Sequence, residues 1–137
     1  MIYVIEDDRG WENYYRRILK GHDLKFFHDG VAAIAEMDAR VPDLVILDVL
    51  LTGPTGFAVL NEMRSYPELA QVPVVVISSV SMRDEMAQQY GVLAILDKGE
   101  LTPADVVALA KEYDGGSDGS TAGLVNAERA HNGKKSA

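Results

Sequence analysis

Five short apolar runs, at about residues 2–6, 23–27, 43–48, 73–77 and 93–96, alternate with stretches of helical spacing. Ile2-Tyr3-Val4-Ile5, Leu44-Val45-Ile46-Leu47 and Val74-Val75-Val76-Ile77 show no polar alternation. A strand that is apolar on both faces belongs in the middle of a parallel sheet covered by helices on each side. The intervening stretches fit those helices. Residues about 9–20 place Trp11, Tyr14, Tyr15, Ile18 and Leu19 along one stripe, with Gly21 as a stop. Residues about 30–39 group Ala33, Ile34 and Met37, and residues about 56–66 group Phe57, Leu60, Met63 and Arg64 before Pro67, which is expected to end that helix. Residues about 82–90 repeat Met82, Met86 and Tyr90. Residues about 103–113 open on Thr102-Pro103, an N-cap followed by proline at the first helical position, and bury Val106, Val107, Leu109 and Ala110. Parallel strands joined by right-handed helical crossovers give an α/β, three-layer, doubly wound sandwich.

In an open α/β sheet, ligands and chemistry gather at the carboxyl ends of the strands. Here those ends carry Glu6-Asp7-Asp8, Asp48, Ser78-Ser79 and Asp97-Lys98. Converging carboxylates repel unless a cation joins them. The sequence therefore predicts a divalent-metal site beside one reactive aspartate.

The bulk composition narrows the field. A chain of 137 residues supports one domain with a core and little more. A net charge of −8 without a basic run disfavours nucleic acid and anionic membrane as partners. Without cysteine there is no disulfide, thiolate metal site or cysteine nucleophile. The longest apolar runs are too short to span a bilayer, and no signal peptide is evident, so the expected location is cytoplasmic.

Taken together, Glu6-Asp7, Asp48, Ser78 and Lys98 resemble the receiver domain of two-component response regulators over about residues 1–113. Asp48 followed by Gly56 fits the phosphoacceptor loop, and Gly91 with Lys98 seven residues later fits the last strand. The resemblance implies a CheY-like, flavodoxin-like (βα)5 sheet in the order 2-1-3-4-5. It makes Asp48 the nucleophile that takes a phosphoryl group from a sensor histidine kinase or a phosphotransfer protein. Glu6, Asp7, Asp48 and the backbone carbonyl of Leu50 become the Mg²⁺ ligands, with Glu6 acting mainly through water. Lys98 supplies a second cation, and Ser78 hydrogen-bonds the phosphoryl group once it arrives. The module is then a single-domain signalling protein, not an enzyme beyond its own phosphorylation and slow dephosphorylation. Its output is expected on the face of the fourth predicted helix, fifth strand and fifth helix (about 80–113), towards a downstream protein or, on phosphorylation, a dimer partner.

The chain departs from the family pattern at several positions. Thr52 replaces the usual proline, with Gly53 and Pro54 following; Val92 replaces a small alanine; Ile95 occupies the place of the switch aromatic; and Gly99 replaces the proline after the lysine, so that if the family's proline is a cis one, this chain lacks it. Leu50 and Val80, which flank the phosphoryl group in the family, are both apolar. Neither can orient an attacking water, so self-dephosphorylation is expected to be slow. The alternative to a phosphorelay receiver is a pseudo-receiver, a binding module independent of phosphorylation. A metal-dependent phosphohydrolase would want an acid two residues after the nucleophile, where this chain has Leu50.

Other polar and aromatic residues have plainer readings. Asp8 reads as the cap of the first helix, Ser79 as structural, and Asp97 as a solvated neighbour of Lys98. His22, His28 and His131 are scattered, and Trp11, Tyr14 and Tyr15 read as packing. From residue 114 the sequence Asp114-Gly115-Gly116-Ser117-Asp118-Gly119-Ser120 is a flexible linker, and the tail to 137 ends near a solvated Lys134-Lys135.

Overall fold

The computed structural model describes residues 1–50, 56–79 and 84–114. Thr52, Gly53, Pro54, Val80, His131 and the tail from 115 lie outside them. The elements run β1 (Ile2–Ile5), α1 (Arg9–Ile18), β2 (Leu24–Phe27), α2 (Gly30–Ala39), β3 (Leu44–Leu47), α3 (Gly56–Arg64), α4 (Pro67–Ala70), β4 (Val74–Ser78), α5 (Asp84–Tyr90), β5 (Ala94–Asp97) and α6 (Pro103–Tyr113). All strand pairs are parallel, in the order β2-β1-β3-β4-β5. The expected three-layer sheet and strand order are both present.

The pleat divides the core into two layers, because successive strand residues face opposite sides. Tyr3, Ile5, Val45, Leu47, Val74 and Val76 pack with Ala33, Met37, Val59, Leu60, Met63 and Ala87 on the face covered by α2, α3 and α5. Ile2, Val4, Leu44, Ile46, Val75 and Ile77 pack with Tyr15, Leu19, Val106, Leu109 and Ala110 on the face covered by α1 and α6. The predicted stripe of the first helix is the one that packs here: Tyr15 and Leu19 are buried, and Trp11, Tyr14 and Ile18 lie against them. Among the described residues no helix is long and apolar enough to cross a membrane.

One expectation at Pro67 is corrected. Helix α3 already stops at Arg64, and Pro67 opens a short helix of its own, α4, at the N1 position after Tyr66. A missing amide costs nothing in the first turn, so the residue that cannot continue one helix begins the next. Leu69 is the side chain that α4 contributes to the core.

At the amino edge of the sheet, the amine of Met1 donates to Asp43 at 2.9 Å and to Asp114 at 2.5 Å, and His22 Nδ1 lies 2.6 Å from the same Asp114 carboxylate. Burial alone would raise the Asp114 pKa, but these two partners outweigh it and hold the group below its ordinary value. This ties the end of α6 to the start of β1, on the far side of the sheet from the acidic strand ends.

Candidate functional site

Strand register decides which of the predicted residues meet. Ile5 pairs with Leu47, so Glu6 and Asp48 leave adjacent strands side by side. Strand β4 follows β3 in the sheet, and its last residue, Ser78, pairs with Asp97 of β5. Lys98 is the next residue, and its amide donates to the Ser78 carbonyl at 3.0 Å. Between β1 and β3 the chain order reverses direction across the sheet, which is the switch point where α/β sheets open a crevice.

The side chains converge on Asp48. Its Oδ1 accepts from the Ser78 hydroxyl at 2.7 Å and from the Leu50 amide at 2.9 Å, and its Oδ2 accepts from Lys98 Nζ at 2.9 Å. Lys98 Nζ also donates to Glu6 Oε1. Glu6, Asp48 and Ser78 are buried, and the Lys98 side chain is only 11% exposed. Asp7 is half-buried, and Glu6, Asp7 and Asp48 each offer a carboxylate oxygen within 4.8 Å of the others. Five of the predicted site residues are thus in one pocket. The sixth, Leu50, expected to offer its carbonyl as the fourth ligand, has its amide already turned to Asp48 and its side chain 59% exposed.

Electrostatics follow from that crowding. The Glu6 carboxyl is raised to about 7: burial is the largest cause, the Asp48 charge adds to it, and Lys98 opposes both without cancelling them. Burial works against the Lys98 ammonium, yet its bonds to Glu6 and Asp48 prevail and raise its pKa above the ordinary value. Three carboxylates facing one ammonium leave uncompensated negative charge. The donors are all hard oxygens, the set that suits Mg²⁺ or Mn²⁺ rather than a thiolate-seeking metal. The residues present therefore fit such an ion.

The residues around the pocket take simpler roles. Asp8 caps α1, its carboxylate accepting from the Gly10 amide at 2.7 Å. Asp97 accepts from the Gly99 amide at 2.6 Å and shapes the turn beyond β5. No cis peptide bond occurs among the described residues, so the Lys98–Gly99 link needs no proline-like isomer. Ser79 and His28 are exposed. Ile95, in the expected aromatic position, is partly buried and packs against the core layer on the α2, α3 and α5 side of the sheet.

Trp11 makes a contact that its place in the helical stripe does not announce. Lys98 Nζ lies 4.8 Å from the centre of the indole ring. The helical stripe correctly marks Trp11 as packing against the core, but the Asp8 cap also sets the first turn of α1 beside the strand ends. That cap placement was the available signal.

Gly56 brings the start of α3 against the backbone of Asp48 and Val49. Its amide donates to the Val49 carbonyl at 3.0 Å, and a Cβ there would sit 2.4 Å from Val49 Cα and 2.9 Å from the Asp48 carbonyl oxygen. Backbone cannot yield as a side-chain tip can. Gly56→Ala is expected to cost about 1–3 kcal/mol, the usual size of an overpacking strain, read as a lower midpoint in urea with unchanged m-value. Wild-type stability would show that Gly56 and the Asp48–Val49 backbone move apart without cost.

Residues 2–109 match the family model described as the response regulator receiver domain. Response regulator Rcp1 of Synechocystis sp. (strain ATCC 27184 / PCC 6803 / Kazusa) is 29% identical over 101 residues, covering 66% of this chain and 69% of Rcp1. Response regulator MprA of Mycobacterium avium (strain 104) is 31% identical over 100 residues, covering 72% of this chain but 40% of MprA. The crystal structure of the Mn²⁺-bound form of Rcp1 superposes with a TM-score of 0.71 at 25% identity, over 80% of this chain and 91% of that one. With its family model matched from residue 2 to residue 109, this chain belongs to the response regulator receiver domain family.

Proposed function

We propose that the chain is a phosphoacceptor receiver: Asp48 takes a phosphoryl group in a metal-dependent transfer, and the module signals by protein contact. The observation that carries this reading is the set of partners on the Asp48 carboxylate, with Ser78 and Lys98 bonded to it and the Glu6 and Asp7 oxygens close by. Receiver domains of two-component systems work with histidine kinases or phosphotransfer proteins, and such a phosphohistidine is the donor here. An Asp48 oxygen attacks phosphorus, the P–N bond breaks, and its electron pair returns to the imidazole nitrogen, leaving an acyl phosphate. Lys98 places a positive charge where the phosphoryl oxygens gather. Ser78, now bonded to Asp48, turns its hydroxyl to a phosphoryl oxygen and draws the end of β4 with it.

Glu6, Asp7, Asp48 and the Leu50 carbonyl are the groups that would hold Mg²⁺. The ion supplies neutralisation of phosphoryl charge when bound. The receiver unit spans 1–113, with the residues beyond it as a tail, and α5, β5 and α6 form the output face. The added charge of roughly −1.5 to −2 biases an equilibrium between two arrangements of that face.

The test is incubation with a small-molecule phosphoryl donor and Mg²⁺. One phosphoryl mass added at Asp48 is expected. No addition, with the fold intact and partner binding retained, would make the chain a pseudo-receiver instead.

A second expectation concerns how long the mark lasts. Leu50 stands beside Asp48 with an exposed apolar side chain, so it has no group to hold an attacking water. Loss of label from Asp48 is expected to take minutes or longer, and Leu50→Asn is expected to shorten it severalfold. A wild-type lifetime of seconds would contradict this.

A further inference from the structure

We propose that Trp11 is a positioning residue for Lys98, its indole face holding the ammonium in line with Asp48 by a contact that a metal ion at the carboxylates does not compete for. This rests on the phosphoacceptor reading of the pocket. Lys98 lies just past the end of β5, on a four-carbon stem followed by Gly99, and such a stem has many rotamers. Its backbone is fixed by the bond to Ser78, but its ammonium is placed by what it touches. Those contacts are Glu6, Asp48 and the Trp11 ring.

Two of the three hold the ammonium with the same carboxylates that suit a divalent cation. Oxygen donors engaged by such a cation have less to offer Lys98. The indole has no oxygen, and its attraction for an ammonium comes from the negative face of the ring. It is therefore the contact that persists when the acids are otherwise engaged. The ring is itself well fixed. Trp11 lies in the first turn of α1, its amide bonded to the Asp8 carbonyl at 3.1 Å. Tyr14 meets it edge-on at 5.1 Å between centroids, and the buried Tyr15 lies 6.0 Å away. The Lys98 side chain is largely shielded from water, which strengthens a cation–π contact.

The experiment compares Trp11→Leu and Trp11→Phe with the wild-type full chain. The Leu variant keeps apolar volume and loses the π face; the Phe variant keeps a weaker one. Phosphorylation by a small-molecule donor at saturating Mg²⁺ is expected to slow about fivefold in Trp11→Leu, the size that a partly desolvated cation–π contact supports. Trp11→Phe should recover part of the rate, and Mg²⁺ affinity by calorimetry should stay unchanged in both. Wild-type rates in Trp11→Leu, or equal losses in both variants with equal loss of thermal stability, would overturn the positioning role. Trp11 is the chain's single tryptophan, so its emission reports the contact directly. Emission is expected to change in Lys98→Met, or in Lys98→Gln should the former not fold; identical spectra would refute the contact itself. If the wild type takes no phosphate, the phosphoacceptor reading fails, while the emission comparison still decides whether Trp11 holds Lys98.

Discussion

Asp48→Ala is expected to abolish phosphorylation altogether, with no added mass after long incubation with donor and Mg²⁺. In the proposed reading the Asp48 carboxylate is the attacking group, and two of its neighbours are otherwise engaged: Glu6 is buried and bonded to Lys98, and Ser78 donates its hydroxyl to Asp48. A hydroxyl at its free pKa is a weak nucleophile without an adjacent base. The fold should survive. The substitution removes a buried acceptor that serves Ser78, Leu50 and Lys98, which costs stability. It also removes one of three crowded like charges, which returns some. Opposed in this way, the two changes leave the urea midpoint close to that of the wild type. Mg²⁺ binding should weaken, because one of three carboxylates is gone. Mass added to Asp48→Ala at wild-type yield would place the acceptor elsewhere and end the present reading of the pocket.

Much of this arrangement could be read from the residue order, and the reason is register. Each strand announces itself by an unbroken apolar run, and each run stops where the sheet's carboxyl edge begins. Because Ile5 pairs with Leu47 and Ser78 with Asp97, residues that follow those runs must emerge as neighbours. Glu6, Asp48, Ser78 and Lys98 could therefore be grouped without knowing any side-chain direction. The resemblance to a receiver then added roles to the positions. What stayed hidden depends on side-chain direction or on distant partners. Trp11 shares its helical stripe with true core residues, and nothing in that spacing says that its ring leans over Lys98. His22 and Asp114 are 92 positions apart and carry no mutual signal, yet they meet at the other edge of the sheet. Pro67 misled because proline's prohibition on continuing a helix equally suits it to start one.

Lys98→Met is expected to have the second large effect, and it acts on transfer, metal binding and stability at once. Without the ammonium the phosphoryl oxygens lose a preorganised cation, and phosphorylation should fall about 100-fold or more, as when one donor to a developing anion is removed. In EDTA the variant should also unfold more easily, because Glu6 and Asp48 stay buried without the charge that offset them. Removing one partner of a buried pair costs up to about 3–5 kcal/mol. The direction with metal is opposite. In the wild type an incoming divalent cation must compete with Lys98 for the same Glu6 and Asp48 oxygens. In the variant it meets carboxylates that have no other counter-ion, so Mg²⁺ should bind more tightly and restore more stability than it does in the wild type. Urea unfolding in EDTA and in Mg²⁺, for both proteins, measures this directly. An equal gain from Mg²⁺ in the two proteins would mean that Lys98 and the metal do not share those oxygens. The pocket would then have to hold its cation on a separate set of ligands.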